Sequence, residues 1–203
     1  MDEEVHLIDR ARSGDGSAAG ELLQRYQRRV YGLCLRMLGS TEDAEELTQE
    51  TFVKALMGLE RFDGRSTFST WLYRIATNAC LSRLRSDRVR SKARVASLPD
   101  MELSSRPSVQ TAEGAFDASG RRRAVSVGLG QIAPEHRVVL VLRDVQGLEY
   151  EQVAAVLGVP VGTIKSRLFR ARVALRRALE QAHGAPIDGH AEDRTDRSEG
   201  ASR

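Results

Sequence analysis

An all-α fold, two small helical domains joined by a flexible linker, is what this 203-residue sequence predicts. Three observations carry the prediction. Apolar residues recur at helical spacing through most of the chain, and no stretch alternates with period two over strand length. Over residues 91–120 the period dissolves into a segment holding Pro99, Pro107 and several serines, which reads as a linker. Further on, a short helix, a tight break and a longer basic helix follow one another as a helix-turn-helix, a motif that sets its second helix in a DNA major groove.

The elements follow in order. Residues 3–13 give a short helix through Val5, Leu7, Ile8 and Ala11, broken by Gly14, Asp15 and Gly16. Residues 17–38 carry Leu22, Leu23, Tyr26, Val30, Leu33, Cys34 and Met37 at helical spacing, stopped by Gly39. Ser40 is placed to cap the next helix, with Asp43 three residues on as its capping-box partner. That helix reaches about residue 59, with Ala44, Leu47, Thr51, Phe52, Ala55, Leu56 and Leu59 facing inward. A polar loop over 61–67 centres on Gly64. Residues 68–85 are helical again, with Phe68, Leu72, Ile75, Ala76 and Ala79 inward. These elements make an N-terminal domain over residues 1–90.

After the linker, helix resumes near Arg121, and the C-terminal domain spans residues 121–183. Pro134 opens an apolar helix over 135–145 that Gly147 ends. Tyr150, Val153, Ala154 and Leu157 form one face of the next helix. Gly158 suits its left-handed end, and Pro160 the first turn of the following helix. There Ile164, Leu168, Ala171 and Leu175 form the inward stripe, with arginines and Lys165 mostly off it. Residues 184–203 are polar and low in apolar content, the pattern of a disordered tail.

Net charge is only +3, but its distribution is uneven. Acidic residues concentrate over 42–50, basic ones over 83–94 and along the last helix, which suggests two partners of opposite charge. No signal peptide and no apolar run of membrane-spanning length occur, so no membrane insertion is expected. Cys34 and Cys80, each in an apolar helical setting, read as buried free thiols of a cytoplasmic protein.

Three faces suggest binding. Opposite the core stripe of the acidic helix lie Asp43, Glu46, Gln49, Glu50, Val53 and Met57, carboxylates in line with apolar groups. That face suits a basic, preformed helix of another protein. Trp71, Arg74, Asn78, Ser82 and Arg85 form an outward stripe fit for single-stranded nucleic acid: stacking, amide readout and phosphate contact. The loop holding Phe62, Asp63, Gly64, Arg65 and Ser66 can pocket an extruded base. Lys165, Ser166, Phe169 and Arg170 occupy the first two turns of the last helix, where base edges are met; Arg172, Arg176 and Arg177 lie beyond, nearer phosphate or solvent.

Enzyme signals are poor. Residues 128–133 match a relaxed dinucleotide fingerprint, but no strand precedes them and Pro134 follows, so the match is taken as chance. The four histidines make no metal spacing with either cysteine. No cofactor and no catalytic residue is expected. A stand-alone helix-turn-helix regulator is the alternative function; it has no need of the acidic face.

DAEELTQETFVKAL (residues 43–56), RFDGRSTFSTWLYRIATNA (61–79) and EYEQVAAVLGVPVGTIKSRLFRAR (149–172) together resemble the conserved regions of bacterial RNA polymerase sigma factors, nearest the extracytoplasmic-function group. The resemblance runs over about residues 3–179. It implies a partner, core RNA polymerase, bound through Asp43, Glu46, Gln49, Glu50 and Val53. It implies promoter DNA as the second partner. The minus-ten element would be opened and read by Phe62, Asp63, Arg65, Trp71, Tyr73, Arg74 and Asn78, with Arg83, Arg85 and Arg88 on the backbone. Thr163, Lys165, Ser166, Arg167, Phe169 and Arg170 would read the minus-thirty-five element. It also implies a possible anti-sigma protein. The sequence departs from the family at Ala19, where phenylalanine is common, and at Glu149, where a serine cap is usual and its loss costs about 1 kcal/mol. Gly128 and Gly130 are expected to loosen or break the first helix of the second domain, at up to about 1 kcal/mol each.

Overall fold

Asp15, read as part of a break, starts the second helix instead. Its carboxylate accepts from the Ser17 and Ala18 backbone N–H groups at 3.0 and 3.1 Å, supplying partners that the first turn lacks. In the computed structural model, which describes residues 2–96 and 118–183 with side chains over 3–91 and 124–181, α1 (Asp2–Arg12) precedes α2 (Gly16–Leu38). Gly39, at φ +76°, ends α2 and donates to the Leu35 carbonyl. Ser40 then caps α3 (Thr41–Gly58), accepting from Asp43 N–H at 3.2 Å. A 3-10 turn (Leu59–Arg61) leads into the loop before α4 (Phe68–Ala96). In the second domain come α5 (Ala118–Gln131), α6 (Pro134–Leu140), a π-helical turn (Val141–Val145), α7 (Tyr150–Leu157) and α8 (Val161–His183). Among the described residues there are eight α-helices and no strand.

The N-terminal core forms where α2, α3 and α4 meet. Leu22, Leu33, Met37, Leu47 and Leu72 are fully enclosed there. Buried Thr48, Thr51 and Thr77 satisfy their hydroxyls by donating to the carbonyl four residues back, so polar groups enter this core without penalty. Cys34 on α2 and Cys80 on α4 touch across it, Sγ to Sγ 3.7 Å, as free buried thiols. The neighbouring Cys34 and burial together push the Cys80 thiol pKa up. In the second domain α8 packs on α5, α6 and α7, with Val138, Leu142, Val153 and Ile164 at the centre.

Several boundaries differ from the sequence expectation. α4 extends to Ala96 rather than ending near residue 85, and α5 starts at Ala118, so both ends of the expected 91–120 linker are helical. The rest of that linker, 97–117, and the expected tail, 184–203, lie outside the described residues. α5 is not broken at its glycines. A β-carbon at Gly128 would stand 3.1 Å from Leu175 Cδ1 and 3.4 Å from Leu179 Cδ2; the missing side chain lets α5 lie close on α8. Leu56, expected inward, is exposed, and Phe52, Ile75 and Leu175 are half-buried.

The start of α7 is secured although Glu149 replaces serine. The Gln152 side chain accepts from Glu149 N–H at 2.8 Å, and Arg143 approaches the Glu149 carboxylate at 3.4 Å. Gly158 at φ +65° ends α7, and α8 begins three residues later.

The two domains pack directly on each other, α7 and α6 on α4, and α5 and the π-turn on α2. Buried Arg137 of α6 donates to Gly130 and Ile132 carbonyls of its own domain at 2.8 and 2.9 Å, and to the Met37 carbonyl of α2. Sequence reasoning passed over Arg137. A cation inside the apolar run PEHRVVLVL was the available signal, because burial of its charge requires several acceptors.

Candidate nucleic-acid interface

α3 and α4 diverge to leave a groove of about 770 Å³. Trp71, Asn78, Ser82 and Arg85 line it from α4, as their spacing on one face predicts. Lys54, Arg61, Arg83, Arg85 and Arg90 also line it; Lys54 pairs with Glu50, Arg83 with Asp43 and Glu46, and Arg90 with Asp87, which leaves Arg61 and Arg85 outside these pairs. Such a lining attracts a polyanion. Trp71 forms part of one wall. It packs on Phe62 and Phe68 at ring-centre distances of 5.3 and 5.6 Å and lies against Gly58, where a β-carbon would meet the indole at 3.3 Å. This packing fixes the half-buried indole against its neighbours as part of the groove lining.

Other predicted promoter residues are placed differently. Phe62, expected to line a base pocket, is only 6% exposed and belongs to the aromatic core with Phe68 and Trp71. The loop around Gly64 (φ +71°) otherwise stands out from the body: Asp63 accepts from Arg65 N–H at 3.1 Å and pairs with its guanidinium, and both remain exposed. Tyr73 is 2% exposed, beneath the second domain, and burial raises its phenol pKa. Arg74 is not in the groove; it donates to the Ala155 carbonyl of α7 at 2.7 Å. Arg83 reaches back to α3, pairing with Asp43 at 2.8 Å and Glu46 at 2.6 Å. The Glu46 hydrogen bond foremost raises its pKa. Arg85 and Arg88 are exposed on the same helix.

On α3, Glu46, Gln49, Glu50, Val53 and Met57 are exposed, and Met57 reaches 79%. Glu50 pairs with Lys54 one turn on. Asp43 and Glu46 therefore present carboxylates already oriented by Arg83, in line with a bare apolar pair.

In the second domain Lys165, Ser166, Phe169 and Arg170 project from α8; because the helix starts at Val161, Phe169 and Arg170 lie in its third turn and not in the first two as expected, and Phe169 is 71% exposed. Thr163 and Arg167 are half-buried beside them. Ser166 donates to the Thr163 carbonyl at 3.0 Å, and the Lys165 ammonium stands 5.7 Å from the Tyr150 ring centre. Arg172 is drawn to Asp144, with Nη2 to Oδ1 at 2.7 Å. An exposed aromatic flanked by cations on the second helix of such a motif has the chemistry that major-groove readout uses.

Comparison with known proteins agrees with this geometry. The sigma-70 region 2 model matches residues 22–90, and the sigma-70 region 4 model residues 122–175. The chain is 33% identical over 191 residues to the RNA polymerase sigma-H factor of Pseudomonas aeruginosa, covering 89% of this chain and 95% of that one. It is 32% identical over 176 residues to the ECF RNA polymerase sigma factor SigW of Bacillus subtilis, covering 85% and 94%. Among solved structures, the sigma factor RpoE from Bartonella quintana, in complex with the anti-sigma factor NepR, matches with a TM-score of 0.60. Identity there is 25%, over 79% of this chain and 96% of that one.

A two-domain helical protein with these regions in this order is a sigma-70-type initiation factor. The chain belongs to the extracytoplasmic-function group of RNA polymerase sigma factors, which bind the polymerase and direct it to promoters. Among the described residues no helix is long and apolar enough to cross a membrane.

Proposed function

We propose that this chain divides promoter opening among the three faces described above. The α3 face carrying Asp43, Glu46, Gln49, Glu50, Val53 and Met57 docks on a basic helical element of core RNA polymerase. The cationic groove with Trp71, Asn78 and Arg85 accepts the separated strand of the minus-ten element: the indole stacks on a base, Asn78 reads an edge and the arginines hold phosphate. Asp63 and Arg65 border the strand from the loop. Thr163, Lys165, Ser166, Arg167, Phe169 and Arg170 read the minus-thirty-five element as duplex. No catalytic step belongs to this chain, which acts in the cytoplasm by binding alone. An anti-sigma partner, of the kind named in the Bartonella quintana complex, fits it as a regulator.

The observation that carries this reading is the cationic groove lined by a rigidly held indole, on the same chain as an exposed recognition helix. Run-off transcription with purified core polymerase on a genomic promoter library tests it. Specific transcripts are expected, and reversing charge with Glu46→Lys and Glu50→Lys should abolish polymerase binding. Retained binding would count heavily against the docking face.

A further inference from the structure

We propose that Cys34 and Cys80 form a redox-active dithiol, which hydrogen peroxide closes into a disulfide tying α2 to α4, and that the tied chain resists unfolding and proteolysis. The inference stands apart from the promoter-reading roles given above.

The two sulfurs already touch. Cys80 Sγ donates to Cys34 Sγ at 3.7 Å where α2 meets α4, and both side chains are wholly enclosed. Enclosure sets which oxidant can act: hydrogen peroxide, close to water in size, needs only a small opening. Such an opening lies beside Cys34. Thr48 of α3 has its hydroxyl within reach of the Cys34 sulfur. The same Thr48 lines a surface groove of about 500 Å³ with Tyr31, Glu45 and Gln49. One side chain thus borders both the thiol and a solvent-filled groove.

The two thiols take different parts. The hydrogen bond from Cys80 foremost, aided by Thr48, lowers the Cys34 pKa, while the same contact and burial raise that of Cys80. Cys34 is therefore the attacking sulfur. Its thiolate takes one peroxide oxygen as the O–O bond breaks, giving a sulfenic acid and a hydroxide that the released thiol proton turns to water. Cys80 then attacks the Cys34 sulfur, the S–O bond breaks, and the hydroxyl leaves as water with the Cys80 proton. Two thiols and one peroxide give one disulfide and two waters. With Cys80 in contact, the sulfenic acid is captured before a second peroxide carries it to the irreversible sulfinic acid. The new bond joins residues 46 apart, and the span between them holds all of α3 and the 61–67 loop. Closing so long a span restricts the unfolded chain far more than the folded one, in which its ends already meet.

The test exposes the full chain to hydrogen peroxide, alkylates remaining thiols in denaturant and reads the intact mass without reductant. Loss of two hydrogens with no alkylated thiol is expected, and digestion should yield a peptide pair joined through Cys34 and Cys80. Thiols that stay open to alkylation at a dose that consumes free cysteine, or bridges between two chains instead of within one, overturn the proposal. Cys34→Ala and Cys80→Ala, checked for native helix content by circular dichroism, separate the roles. Cys80→Ala should carry Cys34 on to sulfinic acid, whereas Cys34→Ala should oxidise at Cys80 at least tenfold more slowly. Equal oxidation of the two variants overturns Cys34 as the attacking sulfur; the wild-type mass decides the bond whatever the variants do. Oxidised wild type should melt at least about 5 °C above the reduced chain and be cut at least tenfold more slowly by thermolysin. An unchanged or lower Tm overturns the stabilising half.

Discussion

Replacing Lys165 or Arg170 with alanine should weaken recognition of the upstream promoter element by about 1–3 kcal/mol per lost base contact. Arg176→Ala, further along α8, should weaken binding to all sequences alike and flatten the salt dependence. Titrations against matched and scrambled duplexes at two salt concentrations separate the cases; three identical responses would refute the sorting. The placement of side chains was legible where they stand on one helix face at regular spacing, as Trp71, Asn78 and Arg85 do in lining the groove. The burial of Phe62 and Tyr73 was not legible. An aromatic residue in a loop or on a helix flank looks the same in sequence whether it awaits a base or a neighbouring core, and the deciding partners, Phe68 for one and Gln146 for the other, are set by tertiary packing. Arg83 was misplaced for a related reason: its carboxylate partners, Asp43 and Glu46, lie far back in the chain on another helix.

Helix ends and helix-to-helix approach answer to different substitutions. Gly130 is exposed in α5, and a β-carbon added there would meet nothing within 4 Å. Gly130→Ala should therefore gain about 0.5–1 kcal/mol, seen as a raised Tm. Gly128→Leu should lower Tm, because even a β-carbon meets Leu175 and Leu179. Equal responses would mean that α5 does not depend on close approach to α8. At the start of α2, the backbone N–H of Ala18 foremost, with Arg10, holds the Asp15 carboxyl below its usual pKa. A folded-state pKa below the unfolded one stabilises at pH above the unfolded value of 3.8, and that contribution is lost as pH falls through the folded value. Melts below pH 4 should therefore show a steeper loss for wild type than for Asp15→Asn, whose amide caps without titrating. Element types and most caps were readable, since helical period, glycine stops and Ser40 are local signals. The span of α4 was not, because polar helical residues past Arg85 carry no apolar stripe to reveal them.

At the scale of the whole molecule, docking and stability should separate. Met57→Lys, at a 79% exposed position, should leave stability within about 0.5 kcal/mol while weakening association with core polymerase. Urea unfolding and polymerase pull-down on the same variant check both halves; unchanged association would remove Met57 from the docking face. The two-domain helical plan was legible from three motifs and their order along the chain. How the domains sit on each other was not, since Arg137, Gln146 and Arg74 act through backbone carbonyls, and a carbonyl leaves no mark in a residue sequence. That choice of acceptor has a further consequence. A carbonyl stands at every position of the chain, so the bond that Ala155 accepts survives a change of residue there, whereas it does not survive a change of Arg74, and the contact tolerates variation on one side only.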